Sequence, residues 1–372
     1  MSIEHLLPVP HLTTVLSGPL QQIESHLLAR QTGIESWFRR QWQITAAPFY
    51  ASVDLRNAGF KLAPVDTNLF PAGFNNINPA FIPLCIQAAQ NAIERVCPTA
   101  NQLLLIPESH TRNMYYLESV ATLQDIIKKA GYEVRIGTLI TDITTPYEIG
   151  LPSGRTVVFE AMERKDDRLI LPGFSPCMIL LNNDLASGRP EILEGLQQPV
   201  IPPLAIGWST RLKSDHFRQY ARVASEFAEL LNIDPWLIDP LFLKCGEINF
   251  MKREGEECLE KNVSALLNTI QRKYDEYKLD KKPFVAIKAD AGTYGMGVMM
   301  VHSPSEIRAL NRQQRTKMAA SKGGVATTKV ILQEGVYTFE TWGNAQSVAE
   351  PVVYMIDHFV VGGFYRVHTR RG

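Results

Sequence analysis

Residues 288–297 read KADAGTYGMG, and the fold turns on what flanks them. PFVAIK at 283–288 leads in and VMMV at 298–301 follows; both runs are short and apolar, as strands are. A P-loop needs GxxxxGK[ST] opening a helix, but Gly297 is followed by Val298. A dinucleotide fingerprint needs GxGxxG opening a helix, whereas Gly292, Gly295 and Gly297 give GxxGxG between strands. Two readings remain open at this point. One is a glycine-rich hairpin whose amides close over a triphosphate beside a lysine; the other is a plain hairpin turn. In protein kinases the lysine lies beyond such a loop, whereas Lys288 precedes this one.

Downstream, SPSEIRALN at 303–311 reads as a helix start, with Ser303 as N-cap, Pro304 at the first helical position and Glu306 completing a capping box. KVILQEGV at 329–336 is a further strand. Upstream lie two long amphipathic helices. Ser214–Leu231 carries Phe217, Tyr220, Ala224 and Phe227 on one face, and a second helix starting near Gly255 carries Leu259, Val263, Leu266, Leu267, Ile270 and Tyr274. These stripes are expected to be core, and Cys258 with them.

The first half of the chain has a different pattern. Leu103–Ile106 is an apolar strand; Tyr116, Val120, Leu123 and Ile127 recur at helical spacing until Gly131; YEVRIGTL at 132–139 is the next strand. Strand, helix, strand predicts a parallel α/β sheet, extended by TVVFEAM at 156–162 and CMILLNNDL at 177–185. The loop from Pro107 to Tyr115 sits at the carboxyl end of its strand, where such sheets bind ligands, and carries Glu108, His110, Arg112 and Asn113. It reads equally as an ordinary capped helix start. An amphipathic helix is expected near Leu20–Trp42, followed by the turn-rich LAPVDTNLFPAGFNNINPAF at 62–81; QPVIPP at 198–203 marks a boundary between lobes.

Bulk properties limit the alternatives. A chain of 372 residues exceeds one ordinary core and predicts two or three lobes. Thirty-eight basic residues balance thirty-eight acidic ones, so no whole-chain field favours nucleic acid or an anionic membrane. The five cysteines are scattered without metal or redox spacing and read as free thiols. The start, MSIEHLLPVPHL, lacks a signal-peptide pattern, and no run is long and apolar enough to span a bilayer, so a soluble cytoplasmic protein is expected.

An apolar strand ending in Gln-Glu-x-Val, downstream of a lysine and a glycine-rich hairpin, resembles the ATP-grasp ligases. Four stretches narrow the likeness: FYASVDLRNAGFKLAPVDTNLFPAGFNNI at 49–77, IPESHTRN at 106–113, FLKCGEINFMKREGEECL at 242–259 and KADAGTYGMGVMMV at 288–301. In this order they resemble the proteobacterial glutamate–cysteine ligase family typified by acidophilic iron-oxidising bacteria, from about residue 49 to the end of the chain.

The resemblance implies an α/β protein, α+β toward its C-terminus. Residues 1–205 would form a substrate lobe of pre-ATP-grasp type, 206–330 an ATP-grasp lobe with a glycine-rich lid, and 331–372 the start of a C-terminal ATP-grasp lobe. It implies ligation of L-glutamate and L-cysteine with ATP and Mg²⁺ through a γ-glutamyl phosphate, the first step of glutathione synthesis. Another ATP-grasp amino-acid or peptide ligase, or a non-catalytic ATP-binding module, would share the C-terminal motifs.

By the same resemblance, Lys288 is a phosphate ligand and Gly292, Gly295 and Gly297 form the lid. Gln333, Glu334 and Val336 hold adenine, Glu340 the ribose, and Arg366 steadies the transferring phosphoryl group, with Lys252 as a second phosphate lysine. Glutamate needs an arginine and an acidic residue, which among the polar loop residues Arg56, Asp66, Asn68, Asn75, Arg112 and Asn113 would supply; Asp54, Asn57 and Asn76 stand in the same runs. His358 and His368 are read as surface or structural. ATP-grasp enzymes hold Mg²⁺ partly through a Glu-x-Asn pair beyond such an arginine. None follows Arg366 before Gly372, so a truncated chain with weak ATP binding is expected, with Asp357 and Glu350 as the substitute ligands otherwise.

Overall fold

A computed structural model describes residues 12–13, 19–292, 298–319 and 328–368. After β1 (Leu12–Thr13), the helix expected near Leu20–Trp42 is two helices, α1 (Pro19–Ala29) and α2 (Gln31–Ile44). They part at Arg30, whose backbone leaves helical values at φ −118°. β2 (Tyr50–Asn57) and β3 (Leu62–Asn68) then form an antiparallel hairpin.

The expected parallel unit follows. α3 (Ile82–Val96) leads into β4 (Gln102–Pro107), α4 (Met114–Lys129) and β5 (Glu133–Thr138), with β4 and β5 parallel. β6 (Tyr147–Gly150) and β7 (Thr156–Ala161) extend the sheet, a small hairpin of β8 (Glu163–Lys165) and β9 (Arg168–Ile170) stands apart, and β10 (Met178–Asn182) and β11 (Val200–Ile201) complete it. The order is β11-β10-β4-β5-β7-β6, parallel except for the edge strand β6. β4 is apolar from Leu103 to Pro107 because both its faces are covered. Leu103 and Leu105 enter the core shared with α3 and α4, while Leu104 and Ile106 enter another on the opposite face.

The second half is antiparallel. α5 (Lys213–Leu231), β12 (Phe242–Glu247) and α6 (Glu256–Glu276) precede β13 (Val285–Ala289) and β14 (Val298–Val301), which pair as the expected hairpin from Val285↔Val301 to Lys288↔Val298. α7 (Ser305–Arg308) and α8 (Arg312–Ala319) lead to β15 (Lys329–Glu334), giving the sheet order β12-β15-β13-β14. α7 starts later than the capping box predicted, with Pro304 at the cap position. Glu306 Oε1 still accepts from the His302 amide at 3.0 Å and the Ser303 hydroxyl at 3.2 Å. The expected stripe of α6 is buried from Leu259 to Tyr274. Cys258, expected in the core, is instead exposed: one residue before Leu259, it is turned about 100° off the stripe.

β16 (Thr341–Trp342), β17 (Ser347–Ile356) and β18 (Phe359–His368) end the described chain. β17 pairs β18 on one side, and β16 and then β2 on the other. The first and third of the expected segments therefore share one sheet. The connection between β2 and β3 also sends Ala58 and Phe60 into the core beneath the four-stranded sheet, so this hairpin staples the two halves together. Among the described residues no helix is long and apolar enough to cross a membrane.

Candidate active site

Two cavities meet at one point. The larger, about 610 Å³, is bounded by the four-stranded sheet and the β2, β3, β17 and β18 strands. The smaller, about 510 Å³, is bounded by the same strands and by the carboxyl ends of β4 and β10. Asp54, Asp66 and Arg366 line both. Asp54 and Asp66 stand directly opposite each other on β2 and β3, where like charges repel. Each has its own counter-ion. Arg366 grips Asp54 with both terminal nitrogens, at 3.0 and 3.2 Å, and Lys213 Nζ lies 2.9 Å from Asp66 Oδ1. Burial alone would raise the Asp66 carboxyl, but Lys213 and then Lys288 outweigh it and hold it below the usual carboxylate range.

In the larger cavity, Lys288 ends β13 and donates to the Val65 carbonyl at 2.8 Å and to Gln333 Oε1 at 2.6 Å. Burial, assisted by Lys213 and Arg56, lowers its pKa to about 8. Gln333 thus has its oxygen occupied, while its buried Nε2 has no partner among the described residues. Phe284, Ala286, Val298 and Met300 supply an apolar wall, and Gly292 and Val336 also line the space. An apolar slot beside an unpaired amide donor fits a purine, which presents a flat π-face and ring-nitrogen acceptors. Gly295 and Gly297 lie outside the described residues.

Glu334, expected to hold adenine, also lines this space, but its carboxylate is already engaged by protein donors. It accepts from Lys61 Nζ at 2.7 Å, Trp236 Nε1 at 3.1 Å and the Leu241 amide at 3.0 Å. A fully buried lysine needs that charge more than a ligand does. Glu340 lines neither cavity; burial raises its carboxyl, and Asn57 Nδ2 donates to it at 2.6 Å. Arg56 does line the larger cavity, paired with Glu350 at 2.8 Å, and His368, read from sequence as surface or structural, lines it too at 2.8 Å from the same carboxylate.

The smaller cavity takes Asp66 and Asn68 from the expected substrate residues, but not Asn75, Arg112 or Asn113. Asn75 and Arg112 are exposed, and Asn113 caps α4 by accepting from the Tyr116 amide at 3.2 Å. Lys252 is exposed and lines neither cavity. The residues that replace them come from strand ends. The Glu108 amide donates to the Tyr116 hydroxyl at 2.9 Å, that hydroxyl donates to the Asn182 carbonyl at 2.7 Å, and the Asp184 amide donates to Glu108 Oε1 at 3.2 Å. Trp208 closes the wall at 3% exposure, with Lys213 Nζ 4.1 Å from its ring centroid.

Lys213 and Trp208 were not legible as site residues. Lys213 stands one residue before the helix expected from Ser214, and Trp208 in the connector after QPVIPP; only folding brings them beside Asp66. Glu108 lies in the loop after β4 that the parallel-sheet rule had marked.

The residues described do not form a metal centre by themselves. Among them, no three His, Cys, Asp or Glu side chains converge to hold an ion. Asp357 and Glu350 cannot share one: seven residues apart at about 3.3 Å per strand residue, they stand near opposite ends of β17. Asp357 pairs with Arg95 at 2.9 Å, far from the cavities.

The sequence profile described as GshA, glutamate-cysteine ligase, matches residues 24–372. A crystal structure of a candidate gamma-glutamylcysteine synthetase from Methylobacillus flagellatus KT is 59% identical, aligns over 98% of this chain and 86% of that one, and superposes with a TM-score of 0.92. A glutathione synthetase-like effector from Globodera pallida aligns over 83% of this chain and 68% of that one, at 11% identity and a TM-score of 0.39, too slight a likeness to carry any argument. No curated protein matches the sequence. On the profile match and the close structural relative, the chain belongs to the glutamate–cysteine ligase family.

Proposed function

We propose that this ATP-dependent ligase binds ATP in the larger cavity and its amino acids in the smaller, and that the bond between L-glutamate and L-cysteine forms where the two meet. The observation that carries this assignment is the sharing of Arg366, Asp54 and Asp66 by both cavities. A carboxylate is a poor acyl donor, so it must first be activated. The γ-carboxylate of glutamate attacks the γ-phosphorus of ATP, giving γ-glutamyl phosphate and ADP. The cysteine amine then attacks the acyl carbon, a tetrahedral oxyanion forms, and phosphate leaves.

Each residue role follows from charge and position. Lys288 exchanges its contacts with Val65 and Gln333 for the phosphates arriving under the β13–β14 hairpin. Gln333 Nε2 and the main chain near Val336 hold the base. Arg366 neutralises the transferring phosphoryl group and then the oxyanion, the step at which a fixed guanidinium counts most. Asp54 and Asp66 are the carboxylates lining the junction, where the proton lost by the attacking ammonium must go. Mg²⁺ is expected with ATP, and the described residues offer it no site of their own. We read the four-stranded sheet and the facing β17–β18 hairpin as two halves of an ATP-grasp clamp.

ADP release should be measured with L-glutamate alone, L-cysteine alone and both together. Full turnover is expected only with both. Equal turnover with an unrelated pair of amino acids would overturn the substrate assignment.

A further inference from the structure

We propose that Cys245 and Cys258 form a modification site, a thiol pair that a small disulfide converts into a reversible disulfide bond fastening α6 to β12. Their spacing carries no redox motif, because the two cysteines belong to different elements. Folding sets their sulfurs 3.8 Å apart. A disulfide holds its sulfurs about 2.05 Å apart, so the pair must close by about 1.8 Å.

The two thiols differ in what reaches them. Cys258, in the first turn of α6, is exposed, whereas Cys245 is 1% exposed and packs in the core beneath the four-stranded sheet. Burial raises the Cys245 thiol, which makes it a poor first nucleophile. Asn262, one turn along α6 from Cys258, directs its amide Nδ2 at both, 3.4 Å from Cys245 Sγ and 3.6 Å from Cys258 Sγ. A donor shared in this way keeps the sulfurs facing each other and stabilises whichever becomes the thiolate.

The strand beside Cys245 has slack. Cys245 pairs Val330 of β15 and Glu247 pairs Lys329, so Gly246 between them is the extra residue of a β-bulge. A bulge at glycine lets Cys245 shift toward α6 while the ladder from Phe242 to Lys244 keeps its register. Cys245 and Cys258 line neither cavity, so the bond forms without entering the spaces assigned to ATP and the amino acids.

The chemistry is two thiol–disulfide exchanges. The Cys258 thiolate attacks one sulfur of the small disulfide, RSSR; a mixed disulfide forms on Cys258, and RS⁻ leaves and takes up the proton that Cys258 gave to water. Cys245 loses its proton and attacks the Cys258 sulfur, and the second RS⁻ leaves and takes up that proton. Two protein thiols and one RSSR become one protein disulfide and two RSH, with two electrons passing to the small disulfide. Excess thiol reverses both steps.

Cystine, the disulfide of the acceptor amino acid in the ligase reading, is the probe. The reduced full chain is incubated with excess cystine and read by thiol alkylation, peptide mass mapping and thermal melts. Two fewer free thiols are expected, joined as Cys245–Cys258, with the melting temperature raised by a few degrees and both changes reversed by dithiothreitol. Cys245→Ser should instead hold cysteine as a mixed disulfide on Cys258, and Cys258→Ser should leave Cys245 unmodified. A wild-type chain that keeps both thiols, pairs them with other cysteines or stops at the mixed disulfide overturns the site without recourse to any variant. Modification of Cys245 in Cys258→Ser overturns the order of attack, and a mapped bond with an unchanged melting temperature overturns the fastening. None of these readouts uses ADP release, so failure of the ligase reading would leave the site standing.

Discussion

Lys288 shows how a residue's place can be visible in sequence while its state depends on surroundings. Its place at the end of a strand beside glycines was visible in sequence; its pKa of about 8, set chiefly by burial, was not. Phosphate binding favours the charged form, so ATP affinity should fall as pH rises through 8. Between pH 7 and pH 9 the apparent Kd for ATP should increase about tenfold, and Lys288→Arg, which keeps its charge, should flatten the profile; a flat profile in the wild type refutes the idea. Arg366 is a second case. Its pair with Asp54 is half open to the cavities, with side-chain exposures of 45% and 22%, so it adds little to stability. Arg366→Ala should lower kcat about 10²- to 10³-fold with almost no change in Tm. Arg366→Lys should not restore activity, because a point charge cannot span two oxygens. Near-normal kcat in either variant would remove Arg366 from the mechanism.

At the scale of elements, the turn after β15 depends on a close approach the sequence did not disclose. A Cβ on Gly335 would lie 2.1 Å from the Phe284 ring, so the backbone can pass this aromatic only without a side chain. Phe284 and Gly335 both line the larger cavity. Gly335→Ala should therefore displace the ring, destabilise the fold by about 1–3 kcal/mol and raise the KM for ATP. Thermal melts and ATP titration check this, and unchanged values in both would show that the ring moves freely. The start of α5 is similar. Its own N-cap position, Leu212, provides no side-chain cap. Instead Asp290, from KADAGTYGMG, accepts from the Ser214 amide at 2.8 Å and the Ser214 hydroxyl at 2.7 Å. A negative charge at a helix N-terminus is favourable there, and this contact sets Lys213 beside Asp66. One residue of the opening motif, Asp290, thus does structural work rather than binding phosphate.

At the scale of the molecule, the chain is closed by contacts between its two ends. β2 pairs β17 across some 300 residues of sequence, and Lys61, immediately before β3, neutralises Glu334 at the end of β15. Both side chains are almost wholly enclosed, at 0% and 1% exposure. Lys61→Met should leave Glu334 charged and unpaired, costing about 3–5 kcal/mol in denaturant unfolding. Adding Glu334→Gln should recover part of the loss, since a neutral amide needs no counter-charge. Full stability in Lys61→Met alone would refute the charged pair as a clamp between the two ends.

Local signals were enough to define the strands, the glycine hairpin, the α6 stripe and the cations of the larger cavity, because each depends on periodicity or residue type within a few neighbours. Arg56 and Asp66 were named by residue type and Lys288, Gln333 and Arg366 through the ATP-grasp resemblance, and all five line the larger cavity. Trp208, Lys213 and Asp184 carry no such signal, and Asn75 and Arg112 carried a misleading one, since turn-forming and ligand-binding residues are of the same types. What tertiary structure alone decided was the junction. Asp54 and Asp66 meet Arg366 and Lys213 only after strands from opposite ends of the chain pair. The pairing depends on the hydrogen-bond register and buried contacts of distant segments, which no stretch of sequence contains by itself.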